Sequence, residues 1–161
     1  SNRRSSSPAF DEPADMTLVH VTMTNNSALS FGGGILSLEP LTIIGSIIAG
    51  NTAGVGDGQD LHSNVGPGAE VTNSIVGIEE RTLFTAASSG NLVGTVALPV
   101  DAALASLAEN GGQTQTHAIG SGSPAFDMIP TAECDLSVNG ADQRGAARPN
   151  GAGCDAGAFE F

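Results

Sequence analysis

Few residues in this chain have the type and spacing that chemistry requires. Two cysteines, Cys134 and Cys154, bracket 19 residues. A metal site would need further ligands at short spacing beside them, and the sequence supplies none. The pair is therefore read as a disulfide or as two buried thiols. Three histidines, His20, His62 and His117, lie far apart without a Cys or Ser partner at a motif spacing. Each is expected to be structural, with His117 hydrogen-bonding to a nearby loop. Asp142-Gln143-Arg144 is the most polar triplet. A guanidinium can pair in bidentate fashion with a carboxylate, and Asp127, Asp142 and Asp155 are its candidate partners. A sugar-binding Arg144 is the functional alternative. Asp57-Gly58-Gln59-Asp60 offers oxygens to Ca2+, but it lacks the EF-hand spacing and the Gly-Gly-x-Gly-x-Asp nonapeptide. A solvated turn is the favoured reading, so the expected cofactor is none, with Ca2+ as the one weak candidate.

Composition narrows the function classes. Seventeen acidic residues face five basic ones, for a formal net charge of −12. None of the basic residues is Lys. Nucleic-acid binding needs clustered Lys and Arg to neutralise phosphates, so no nucleic-acid partner is expected. The longest nearly apolar run, Leu41 to Gly50, is too short to cross a bilayer. Ser1-Asn2-Arg3-Arg4 reads as a processed or excised start.

The elements that must position these residues show as a repeat. Met16 to Ala28 lies over Leu41 to Ala53 without a gap, and Val71 to Gly77 is a shorter third copy. Each copy is a short β-branched run, a polar corner, a second short run and an Asn turn. One unit cannot bury its own apolar face, whereas stacked units can. The expected fold is all-β: a right-handed parallel β-helix of about three coils over residues 16–98. Leu18, Val21, Met23, Ile43, Ile47 and Ile75 are expected to point inward, and Thr42 outward. Asn26 and Asn51 should take αL at equivalent corners and bond along the stack. Gly32-Gly33-Gly34 lacks the Lys-Ser/Thr of a phosphate loop and reads as a corner.

Residues 1–15 read as an extended N-terminal segment and 99–161 as a loop-rich cap on the C-terminal end of the coils. Asp101 is expected to cap a short helix over Ala102 to Glu109, burying Leu104 and Leu107. The first coil has no comparable cover. Upstream coils or a second copy docking head to tail would supply it, the latter giving a filament; the alternative is a monomer whose first coil is shielded by residues 1–15. Ser7-Pro8-Ala9-Phe10-Asp11 recurs as Ser123-Pro124-Ala125-Phe126-Asp127.

The C-terminal residues carry a family resemblance. Ala108-Glu109-Asn110-Gly111-Gly112-Gln113-Thr114-Gln115-Thr116-His117 is followed by Gly122-Ser123-Pro124-Ala125-Phe126-Asp127. Then come Asp142-Gln143-Arg144-Gly145, Arg148-Pro149 and Cys154-Asp155-Ala156-Gly157-Ala158-Phe159-Glu160. With Ser89-Gly90-Asn91-Leu92-Val93-Gly94 upstream, these resemble the choice-of-anchor Q domain of bacterial surface proteins, which are built on a pectate-lyase-like β-helix. The coils resemble polymorphic outer-membrane repeats. The resemblance covers roughly residues 16–161. It implies an extracellular or cell-surface location and a structural role for Asn110, Gly111, Gly112, Thr116, His117, Ser123, Pro124, Asp127, Asp142, Arg144 and Asp155. It implies no defined reaction. No anchor segment is expected after Phe161, which would be a departure from the family. In a secreted chain Cys134 and Cys154 read as a disulfide closing a loop outside the stack.

An enzyme is not expected. Groove catalysis on this fold wants clustered carboxylates or a basic residue beside them. Across residues 16–98 the single Arg is Arg81, and the strand runs carry almost no acid beyond Glu70, with Glu39 just before Leu41. The expected function is a structural or adhesive module, its partners a second copy or cell-surface glycans and proteins. The alternative is the end of a carbohydrate-binding or polysaccharide-degrading β-helix with its active coils upstream.

Overall fold

Parallel pairing follows the repeat residue by residue. A computed structural model of the chain describes residues 15–54, 58–63, 68–80, 82, 84–85, 87–134 and 140–161. The first rung comprises β1 (Met16–Val19), β2 (Thr22–Met23), β3 (Ser27–Ala28) and β4 (Ile35–Ser37). The second comprises β5 (Leu41–Ile44), β6 (Ile47–Ile48), β7 (Thr52–Ala53) and β8 (Leu61–Ser63). The third holds β9 (Ala69–Thr72) and β10 (Ile75–Val76), and β11 (Leu92–Val93) follows. All ladders among these strands are parallel. They run β1-β5-β9, β2-β6-β10-β11, β3-β7 and β4-β8. Met16 pairs with Leu41 and Leu41 with Ala69, so the repeat read in the sequence is the register of the sheets.

Corners between strands are built from polar side chains. The amides of Val21, Ser46 and Ser74 leave the ladders there and need acceptors. Each donates, at 3.0 Å, to the side-chain oxygen one rung further on: Ser46 Oγ, Ser74 Oγ and Asn91 Oδ1. One residue earlier the chain takes positive φ in every rung, at His20, Gly45, Asn73 and Gly90. At the next corner positive φ falls on Asn25 and Gly50, not on Asn26 and Asn51 as expected. Asn26 and Asn51 do bond along the stack: Asn51 Oδ1 accepts from Asn26 N and Nδ2, both at 3.0 Å. The αL residue turns the chain, which leaves its successor free to form the side-chain ladder.

Two apolar clusters lie on opposite faces of β6 and β10. Ile43, Ile48, Val71 and Val76 pack together with Ile35, Leu41, Leu61 and Ala69, joined by Leu18, Met23 and Phe84. Ile47 and Ile75 belong instead to the other cluster, with Ala102, Ala125, Ile129, Cys154 and Phe159. The inward assignment thus holds for Leu18, Met23 and Ile43. It is wrong for Ile47 and Ile75, which are fully buried but face the C-terminal region. Val21 sits at the corner, half-buried, in neither cluster. Alternation along a strand places neighbours on opposite faces, and both faces of this sheet are covered. Thr42 is half-buried and Glu70, its partner in register, is exposed.

The expected helix after Asp101 does not form. Asp101 Oδ1 accepts from Ala103 N at 2.8 Å, but Ala103 has positive φ, and the chain continues extended into β12 (Leu107–Ala108). Leu107 is exposed. β12 pairs antiparallel with β13 (Thr116–His117), and β14 (Ile129–Pro130) with β15 (Gly153–Cys154). A single 3-10 turn, Thr131–Glu133, is the helical element among the described residues. The tie of Ala105 N to Ala118 O at 2.8 Å offers the backbone an extended partner that a helix would have to give up.

Residues 99–134 and 140–161 run along the flank of the stack, and none of these described residues pairs with β11 to close its end. Ala158 N donates to Thr22 Oγ1 in the first rung at 2.9 Å, and Gly157 N to Gly45 O in the second at 2.7 Å. Asn73 Nδ2 of the third donates to Glu133 Oε2 at 3.0 Å, and Val100 N to Gly77 O at 2.9 Å. Meanwhile β11 ends its sheet with Leu92 and Val93 still 39% and 37% exposed. The expected end cap is a lateral buttress. Apolar Ile47 and Ile75 on the outer face explain why: burying them requires cover on the flank. The expectations for residues 1–14, including the first Ser-Pro-Ala-Phe-Asp, lie outside the described residues, as do Asp57 and Arg81.

Candidate functional site

The motif residues converge on one polar knot that fastens the buttress. Cys134 and Cys154 form the disulfide, with Cα atoms 5.9 Å apart, and tie the chain around β14 to β15. Arg144 pairs with Asp142, Nη2 to Oδ2 at 2.7 Å and Nε to Oδ2 at 2.8 Å. Its Nη1 donates to Asn110 O at 3.3 Å and its Nη2 to Glu160 O. The guanidinium lies 3.5 Å from the Phe159 ring centroid, a cation–π contact. Of the three carboxylates considered for Arg144, Asp142 is the partner. Asp127 Oδ1 takes Gly153 N, and Asp155 takes Asp127 N and Phe161 N.

The carboxylate and hydroxyl oxygens of this knot have structural donors. Asp142 accepts from Arg144 N, Ala146 N, Arg144 Nε and Glu160 N. Burial pushes its carboxyl up, but these four hydrogen bonds together outweigh burial and hold it below the usual carboxylate range. Asn110 Nδ2 donates to Thr116 O and Oγ1, closing the turn that contains Gly111 and Gly112. A Cβ on Gly112 would lie 3.1 Å from Arg144 Cα, so the turn seats directly on the arginine. Ser123 Oγ donates to Ala102 O at 2.7 Å, and Ala125 N donates back to it at 3.1 Å. Pro124, between them, is exposed. His117 Nδ1 lies 2.7 Å from Ala105 O, the loop contact expected of it.

Sequence reading passed over the centre of the knot. Arg148 and Glu160 form an ion pair at 3.1 Å with both side chains 1% exposed. Arg148 Nη1 also donates to Asp155 O and Nη2 to Gly157 O, at 2.7 and 2.6 Å, and Nη1 lies 3.2 Å from His20 Nδ1. Glu160 accepts from Asn150 N and Asp155 N. Burial lowers the Arg148 pKa and raises that of Glu160. The available signal was an Arg before a Pro and a Glu before a terminal Phe in otherwise Gly-rich chain, a place where an unpaired charge is costly.

Asp60 is likewise consumed. Its Oδ1 takes Asn51 N and Nδ2, and its Oδ2 takes Ile78 N at 2.7 Å. Burial raises its pKa. It is fully buried beneath the corner, which removes it from the solvated turn expected around it. Among the described residues no group of three or more His, Cys, Asp or Glu is placed to hold a metal ion. Nor is any helix there long and apolar enough to cross a membrane.

Three hollows lie between the first rungs and the buttress. One of about 300 Å³ is lined by His20, Thr22, Gln143 and Arg148. A second of about 480 Å³ is lined by Thr22, Thr24, Asn26 and His117. The third, about 420 Å³, lies between Asn25, Gly50 and the extended chain from Pro99 to Ser106, with Thr24 and His117 at its edge. Comparison of the chain with models of known families, with curated proteins and with solved structures finds no match in any of the three.

Proposed function

We propose that this chain is a non-catalytic structural or adhesive module of a secreted or cell-surface bacterial protein. In this reading its ladders are the coils of a right-handed parallel β-helix. Residues 99–161 are a buttress of the choice-of-anchor Q kind. The observation that carries the proposal is the use made of the polar motif. Asp142, Arg144, Asp155 and Glu160 spend their hydrogen-bonding capacity on backbone groups and on one another. A catalytic carboxylate must keep an oxygen free for substrate or water. The disulfide supports an oxidising compartment. Head-to-tail assembly is supported by β1 and β11 standing, among the described residues, as edge strands of parallel sheets at opposite ends of the stack.

Three measurements test the proposal. Incubated with a panel of plant and bacterial polysaccharides, the intact chain should release no reducing sugar above blank. Release that disappears on Asp101→Asn would overturn the non-catalytic reading. Beads coated with the chain should retain cell-envelope fragments better than beads coated with an equally acidic control protein, and equal retention would remove the adhesive role. Light scattering should show mass rising with concentration and with salt, because screening a net charge of −12 relieves repulsion between copies. A constant monomer mass would remove head-to-tail assembly.

A further inference from the structure

The polar ladder at the first corner runs in one direction. Val21 N donates to Ser46 Oγ, Ser46 N to Ser74 Oγ and Ser74 N to Asn91 Oδ1, each one rung further on. Among the described residues no rung follows Asn91, so its own amide meets no such oxygen. Ser46, Ser74 and Asn91 all bring an oxygen to this corner. The first rung has Val21 there, and valine has none to offer.

The strand edges match where the corner does not. Leu92 N and Gly94 N donate to Ser74 O and Val76 O, at 3.0 and 2.9 Å. Val93, between them, therefore directs its own N–H and C=O away from the stack. At the other end Val21 O and Met23 O accept from Ile47 N and Ala49 N, so Thr22 directs its N–H and C=O outward. Both edges belong to one parallel sheet, β2-β6-β10-β11. A second copy laid with its β2 on β11 continues that sheet. Thr22 then falls beside Leu92 and Met23 beside Val93, in the register that Ile47, Ile75 and Leu92 already keep. Exposed Val93 stands in register with Val76, Ile48 and Met23 of the interior cluster, so the contact also covers the open end of that column. The corner alone fails: it sets Val21 methyls against Asn91 N–H and takes that donor from water unanswered.

We propose that β2 and β11 are the two halves of a joint between copies of this chain, and that Val21 keeps the joint weak. This rests on the head-to-tail reading and names its contact and its gate. Edge strands commonly carry features that blunt pairing with other chains. Serine suits position 21. Ser46 Oγ and Ser74 Oγ each donate to the carbonyl two residues back, at 2.8 and 2.7 Å, while accepting from the rung before. Val21→Ser has the same bond available, to Val19 O.

Sedimentation of the intact chain, Val21→Ser and Val21→Ala across a range of concentrations tests the gate. Val21→Ser should self-associate about tenfold more tightly than the parent chain, the worth of one answered buried donor. Val21→Ala, which removes the methyls and supplies no oxygen, should stay within about twofold of it. Circular dichroism of all three should coincide. A second arm keeps Val21 and tests the joint by itself. Mixed under oxidising conditions, Met23→Cys and Val93→Cys should cross-link between copies, whereas Leu38→Cys, beyond β4, should not cross-link with Val93→Cys. Equal association of Val21→Ser and Val21→Ala would overturn the gate, and equal yields from the two cysteine pairs would overturn the joint. In either case a parent chain whose mass still rises with concentration leaves head-to-tail assembly standing on another contact. A constant monomer mass in all three, as cover of the first rung from within the same chain would give, removes the joint and the head-to-tail reading together.

Discussion

Asp142 and Glu160 sit in the same knot, yet their carboxyls move in opposite directions. Hydrogen bonds win at Asp142 and lower its pKa, whereas burial wins at Glu160 and raises it. Linkage gives the signs. A carboxyl raised above its unfolded value, about 4.3 for Glu, adds stability as pH falls from neutral through the raised value. A carboxyl depressed below its unfolded value, about 3.9 for Asp, contributes stability above that value and loses it as pH falls through the folded one. Stability of the buttress should therefore rise slightly on mild acidification, with Asp60 contributing in the same sense, and then fall at lower pH. Thermal melts across the acid range will show this maximum. Asp142→Asn should lower the neutral-pH melting temperature and blunt the acid-side fall. A monotonic profile identical in wild type and variant would contradict the account.

At the level of elements, β6 shows how one short strand serves two cores. Ile48 faces the interior cluster, and Ile47 faces Ile129, Ala156 and Phe159 of the buttress. Gly45, just before it, has positive φ, and a Cβ there would lie 2.8 Å from His20 Cε1 and 2.9 Å from Ile129 Cδ1. Glycine at this corner lets the buttress seat against the stack. Ile47→Asp should cost several kcal/mol through a buried unpaired charge. Its main effect should be release of the buttress, with amide exchange rising in β14 and β15 ahead of β5 and β9. Ile48→Asp should expose all of these strands together. Thr42→Asp, at a half-buried outer position, should be mild. Equal exchange patterns in the two Ile variants would show that the two clusters are one cooperative core.

For the whole molecule, the buttress and the stack stabilise each other, because each leaves an apolar face that the other covers. The disulfide bears on that mutual cover. Cys134 and Cys154 are both buried in the outer cluster and close a loop with a sequence separation of 20. Replacing both by Ser should cost about 3 kcal/mol by the loop-entropy estimate, and the loss should appear as earlier exposure of Ile47 and Ile75. Denaturant melts with a probe on each region will locate it. An unchanged midpoint would mean that the polar knot alone holds the buttress.

Much of this was legible in the residues. Sequence alone determined the repeat strands and their register over residues 16–28 and 41–53, because a stacked repeat must match like residues at a fixed offset. It left the two cysteines as a disulfide or as two buried thiols, and the structure joins them. For Arg144 the sequence offered Asp127, Asp142 and Asp155, and the structure chooses Asp142, the one two residues away. Tertiary structure decided what depended on distant chain. The polarity of β6 was ambiguous because Ile47 and Ile48 are equally apolar, and only the docking of residues 99–161 settles which one faces the interior. The run after Asp101 has helical composition, but a backbone partner at Ala118 keeps it extended. Arg148 and Glu160 meet His20 from the other end of the chain. No local pattern encodes that contact, because it exists only once the flank of the stack has been built.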